Sequence, residues 1–142
     1  GVGPDDGPLS CVPGSHDGDL FVQRDKEGRW TGAIGDEDLA TAGIDRAVDM
    51  TGGAGTVIAI HCRVVHGSRA NGTNSTRALP LFVFASADAF AWMPAPSPTT
   101  KTGQIVRGEP AKVAHLDPRP CPVPPDWAKE GYGSIFTAQT SK

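Results

Sequence analysis

Glycine and proline punctuate this chain so closely that it has many turns and few places for a long helix. The 18 glycines and 13 prolines together exceed a fifth of the 142 residues, while only 20% are charged. Glycine opens backbone conformations that form tight turns, and proline ends helices and removes a ladder donor. Short strands joined by loops are the architecture such a chain favours. Its length suits one core, so a single domain over residues 1–142 is expected.

Several classes of function drop out early. A formal charge of −3 without a basic cluster argues against nucleic acid as a partner. No run approaches the roughly 18 apolar residues of a membrane span, and no charged-then-apolar signal segment opens the chain. The three cysteines, Cys11, Cys62 and Cys121, are far apart, odd in number and form no CxxC pair. That reads against a zinc site or a disulfide framework and for a reducing compartment, hence a soluble cytoplasmic protein. The chain opens on Gly1 rather than methionine, which reads as a fragment, a processed form or an engineered piece.

Apolar patterning marks the elements. Leu9 to Val12 reads as a strand closed by Pro13-Gly14, with Ser15 and His16 just beyond. Val48 to Met50 reads as another, Gly52-Gly53 as a turn, and Gly55 to Ile60 as a strand rich in β-branched residues. Ala78 to Ser86 is the second strongly apolar strand. "DLFVQRD" adds a short extended piece, and residues 25–37 read as a loop in which Trp30 packs under something. "DEDLATAGIDRA" holds a helical turn or two that Gly43 ends. Beyond residue 92 the chain turns irregular, with a proline-rich loop, possible extended pieces around "QIVRGEPAKVAHL", and five prolines in "DPRPCPVPPDW". A short helix after Pro125 is expected in the tail.

The informative stretch is "HCRVVHGSRANGTNSTR", which holds two of the chain's four histidines between the two apolar runs. If those runs pair antiparallel, His66 closes one strand and Arg77 opens the next, across the ladder from each other. A neutral imidazole suits iron, copper or zinc. A guanidinium is a fixed fork for a carboxylate. Together they fit a small dicarboxylate that chelates metal at one end and pairs with arginine at the other, with the Ser68 hydroxyl beside it. The bland readings stand next to these: His66 as a rim histidine bonded to backbone, Arg77 as a solvated strand-start arginine. Ser15 and His16 equally well form a turn. The sequons at Asn71 and Asn74 read as loop chemistry.

"GTVIAIHCRVVHGSRANGTNSTR" resembles the distal half of the active-site signature of the phytanoyl-CoA dioxygenase family, and "GPLSCVPGSH" is similar to the family segment ending in Pro-Gly-Ser-His. The resemblance covers most of the chain. It implies a mostly β fold, a double-stranded β-helix (jelly roll, cupin-like), here incomplete and with an irregular C-terminal wrap. It implies an Fe(II)- and 2-oxoglutarate-dependent dioxygenase that uses O2 to hydroxylate a small organic substrate while decarboxylating 2-oxoglutarate. Carried over residue by residue, His66 becomes the distal metal ligand, and Arg77 grips the distal carboxylate of 2-oxoglutarate with Ser68 beside it. Ser15 and His16 line the substrate side, and His61 takes no ligand role.

One departure matters. The family's His-x-Asp or His-x-Glu pair precedes Pro-Gly-Ser-His, and nothing upstream of Pro13 contains a histidine. The expectation is therefore the C-terminal portion of such a domain, inactive alone, with two metal ligands in a missing upstream part. His115-Leu116-Asp117 matches the pattern but in the wrong order, inside the proline-rich wrap. The rival is a non-catalytic cupin-like or β-sandwich module in which His61, His66 and Arg77 rim a small-ligand site. Oligomeric state and substrate are left open.

Overall fold

The computed structural model describes residues 1–95 and 98–130. The chain divides into two compact units, Gly1–Gln23 with Ile34–Pro80, and Arg24–Ala33 with Leu81–Lys142.

The first unit is organised by a three-stranded sheet. Strand β1 (Leu9–Cys11) lies in the middle, with β2 (Val48–Met50) on one side and β3 (His66–Ser68) on the other. Both pairings are antiparallel. Leu9, Ser10 and Cys11 face Met50, Asp49 and Val48 on one flank, and Ser68, Gly67 and His66 on the other. Because side chains alternate along a strand, Leu9, Cys11, Val48, Met50, His66 and Ser68 share one face. Ser10, Asp49 and Gly67 share the opposite one.

Proline and glycine shape what surrounds the sheet. Pro4–Asp6 forms a 3-10 turn with proline at its start and Gly7 in the left-handed region at its end. Pro13-Gly14 turns the chain after β1, where Gly14 adopts φ +77° and leads into a second 3-10 turn, Ser15–Asp17. Helix α1 (Leu39–Ala42) makes one turn and stops at Gly43, whose left-handed φ of 69° is the geometry of a helix C-terminus. The buried centre of this unit is small: Pro8, Cys11, Val12 and Ala42 are its apolar side chains withdrawn from solvent, with Val12 at 1% exposure.

In the second unit, Asp25–Arg29 closes a tight loop through the Asp25 amide to the Arg29 carbonyl at 2.9 Å, which brings Arg24 and Trp30 into an isolated β-bridge. Trp30 packs edge-on against Trp127, ring centroids 5.0 Å apart. Trp127 opens the short helix α2 (Trp127–Glu130), which follows Pro125 as the sequence predicts. The tail beyond residue 130, and Pro96 and Ser97 of the proline-rich loop, lie outside the described residues.

Two expectations need correction. Gly55–Ile60 and Ala78–Ser86 form no strands, so the hairpin expected between them is absent. Their β-branched and aromatic residues suit a pleated surface covered by neighbours, and among the described residues no strand pairs with them. Val57 is 88% exposed and Val83 95% exposed. The "QIVRGEPAKVAHL" stretch is likewise irregular. The described residues thus hold one small antiparallel sheet, little helix and much irregular chain. No helix among them is long and apolar enough to cross a membrane.

Candidate functional site

The sheet brings together part of the expected constellation by a different route. His66 begins β3 rather than closing a strand, and Arg77 lies outside any strand. His66 and Ser68, two residues apart, stand on the same face of β3. Arg77 reaches Ser68 from the following loop, with Nη1 3.5 Å from the Ser68 Oγ and also donating to the Gly7 carbonyl. An imidazole, a hydroxyl and a guanidinium therefore line one exposed edge of the sheet.

The imidazole is oriented by its own chain. Nδ1 of His66 lies 2.7 Å from the Val64 carbonyl oxygen, a contact made by a ring nitrogen that carries its proton there. Nε2 is then the lone-pair donor, and a backbone-fixed tautomer of this kind is usual for metal-binding histidine. Across the ladder from His66 sits Cys11, whose burial pushes its thiol pKa up and keeps it neutral.

Ser15 and His16 sit in the 3-10 turn that follows β1. The Ser15 hydroxyl donates to the Val12 carbonyl and accepts the Val65 amide, both at 2.8 Å, so it ties the turn after β1 to the segment entering β3. The Val12 amide adds a bond to the Val65 carbonyl at 2.9 Å. The His16 ring lies 5.4 Å from that of His61, and its Nε2 is 3.5 Å from Asp17 Oδ2. His61 is exposed and off any strand, since Gly55–Ile60 makes no ladder, and its Nδ1 accepts the Arg63 amide at 3.2 Å. Ser15 and Val65 also border an open cleft of about 260 Å³, with Phe21, Thr41 and Arg46 on its wall.

Sequence reasoning missed the polar groups that brace this edge. Asp49, mid-strand in β2, accepts the Ser10 hydroxyl on the opposite face of the sheet and pairs with Arg69 at 2.5 Å. The Ser10 bond, with the Arg69 charge, holds its carboxyl below the usual range. The available signal was a single acidic residue between the two apolar positions of "AVDM". Asp6, in the 3-10 turn before β1, is held low mainly by the Gly3 amide and the Thr73 hydroxyl.

Iron is a separate matter. Iron(II) in non-haem oxygenases is held by two histidines and a carboxylate, and among the described residues no group of three His, Cys, Asp or Glu side chains is placed to hold a metal. His66 alone does not fit an iron centre. The His115-Leu116-Asp117 pattern does not make one either: His115 pairs with Asp88 at 2.5 Å, and Asp117 is engaged by Arg119. The guanidinium and hydroxyl at Arg77 and Ser68 do fit a carboxylate.

An imidazole, a hydroxyl two residues later and a loop-borne arginine returning to that hydroxyl thus stand together in the first unit. The family model for phytanoyl-CoA dioxygenase matches residues 2–79, the stretch that holds β1, β2, β3 and Arg77. The chain belongs to the phytanoyl-CoA dioxygenase family. Among curated proteins it is 35% identical over 91 residues to a Stutzerimonas stutzeri protein described as "Probable alpha-ketoglutarate-dependent hypophosphite dioxygenase". That alignment covers 59% of this chain and 30% of the relative, so the chain spans under a third of that protein's length. No solved structure matches.

Proposed function

We propose that this chain is the distal, C-terminal portion of an Fe(II)- and 2-oxoglutarate-dependent dioxygenase built on a double-stranded β-helix, acting on a small molecule. The metal ligands other than His66 come from outside the described residues. His66 contributes one imidazole through Nε2, and Arg77, with Ser68, holds the far carboxylate of 2-oxoglutarate. Ser15 and His16 border the substrate side. The description of the S. stutzeri relative makes hypophosphite the first compound to try as substrate. Three scattered cysteines with no CxxC pair support a reducing, cytoplasmic location.

One observation carries this reading: Arg77 and Ser68 meet at 3.5 Å on the sheet face that also bears His66, within the stretch that matches the family. When bound in the complete enzyme, iron supplies the oxygen chemistry; this chain's part is to bind and orient. Arg77 is a planar fork whose charge-assisted bonds to a carboxylate are each worth about 1.5–3 kcal/mol. Ser68 adds a hydroxyl that can donate to the same carboxylate.

In the full-length enzyme, Arg77→Ala is expected to raise the KM for 2-oxoglutarate about 10- to 100-fold. The kcat at saturating 2-oxoglutarate should fall much less. Steady-state kinetics with 2-oxoglutarate as the varied component measures this, and an unchanged KM sinks the assignment.

A further inference from the structure

Arg77 comes from a segment that forms no strand, so something other than a ladder must hold its guanidinium in place. The turn before β1 supplies the hold. The Gly72 amide donates to the Asp5 carbonyl at 2.9 Å, the Thr73 hydroxyl reaches Asp6 Oδ1 at 3.0 Å, and Arg77 Nη1 donates to the Gly7 carbonyl. Three successive residues of one turn thus face positions 72, 73 and 77 of the loop. Asp6 is itself pinned, its Oδ2 accepting the Gly3 amide at 2.7 Å. The Thr73 hydroxyl also lies 2.8 Å from Asn71 Oδ1, but it has one proton to give, and an ionised carboxylate is the stronger acceptor.

Gly7 makes the close approach possible. It adopts φ +64°, and a Cβ there would run into the Arg69 carbonyl and lie 2.8 Å from the Ala70 carbonyl oxygen. The loop that carries Arg77 therefore passes directly over the α-carbon of Gly7. With Nη1 committed to the Gly7 carbonyl, the Nε–Nη2 edge is the fork left to meet a carboxylate side-on.

We propose that Asp6 and Thr73 are positioning residues for the Arg77 carboxylate clamp, fixing which edge of the guanidinium faces the bound dicarboxylate. This rests on the reading of Arg77 as the co-substrate arginine. The hold of Asp6 on this loop runs through its hydrogen bonds to the Gly3 amide and the Thr73 hydroxyl, with its charge beside Arg77 a smaller part. An asparagine at position 6 can still accept the Gly3 amide and keep a partner for the Thr73 hydroxyl, whereas an alanine cannot.

The test uses the full-length enzyme with 2-oxoglutarate itself, reading affinity by calorimetry and the Arg77 Nε resonance by NMR, with Arg77→Ala as the calorimetric control. The wild type is expected to show a saturable, Arg77-dependent shift. Asp6→Ala should weaken binding about tenfold, the loss of one charge-assisted bond, and Asp6→Asn should restore it. Thr73→Val and Thr73→Ser form a second pair with the same expected loss and rescue, should Asp6→Ala fail to fold. Melting temperatures alone would not distinguish Ala from Asn in this way. Equal affinity in wild type, Asp6→Ala and Thr73→Val overturns the positioning role and leaves the reading of Arg77 standing. A full-length wild type that does not bind 2-oxoglutarate, or one whose calorimetric affinity survives Arg77→Ala, overturns that reading and the positioning role with it.

Discussion

Asp49 shows how a single residue sets the chain's response to acid. It is the acidic member of an otherwise apolar strand, and the Ser10 hydroxyl and the Arg69 guanidinium both act on its ionised form. Its folded-state pKa is therefore depressed below the ordinary value of 3.8. A carboxyl shifted this way contributes stability above its unfolded pKa and loses it as pH falls through the folded value. Asp6 and Asp88 are shifted in the same direction, Asp88 by the Ser86 hydroxyl and then by His115. The melting temperature is expected to hold near neutral pH and to drop between about pH 5 and pH 3. Asp49→Asn, with no proton to take up, should show a shallower acid limb in thermal scans, the remaining slope belonging to Asp6, Asp25 and Asp88, whose carboxyls are also held low. Asp49 and Asp6 were not visible in the sequence, because each depends on a partner 20 or more residues away or on a turn amide, whereas Asp88 depends first on Ser86, two residues before it.

At the scale of elements, the glycines differ in what they are for. Gly7 and Gly14 both lie in the left-handed region, at φ +64° and +77°. A Cβ at Gly14 would meet nothing within 4 Å, whereas at Gly7 it meets two backbone carbonyls. Gly14→Ala is expected to cost only the backbone conformation, about 1–2 kcal/mol. Gly7→Ala adds a collision that backbone must move to relieve, so its loss should be clearly larger. Denaturant unfolding of the two variants side by side checks the order. The sequence made several elements legible: β1 and β2, the helical turn ended by Gly43, the short helix after Pro125, and the packing of Trp30. It misled at Gly55–Ile60 and Ala78–Ser86, where apolar, β-branched composition describes a surface that wants covering but not the strands that would cover it. His66, Ser68 and Arg77 were legible as a group, but their assembly was not. The expected hairpin would have joined them locally, whereas the structure joins them through β1 and the turn before it, 55 or more residues earlier.

For the molecule as a whole, the unusual quantity is apolar surface. In the second unit, Leu81, Phe82, Val83 and Phe84 are between 72% and 95% exposed in an unbroken run, beyond the scattered apolar residues that folded surfaces ordinarily carry. Phe82→Lys and Val83→Lys remove no buried contact, so they should change stability by no more than about 0.5 kcal/mol. They should also reduce the fluorescence of a hydrophobic dye such as ANS, a paired readout that a buried position would fail. The opposite situation holds at Cys11. Of the three free thiols, Cys62 and Cys121 are exposed while Cys11 is 4% exposed at the centre of the sheet, opposite His66. Alkylating reagents thus meet two thiols on the native chain and a third only when β1 parts from its neighbours. The rate at which that third sulfur is modified becomes a clock for the opening of the very sheet that gathers His66, Ser68 and Arg77.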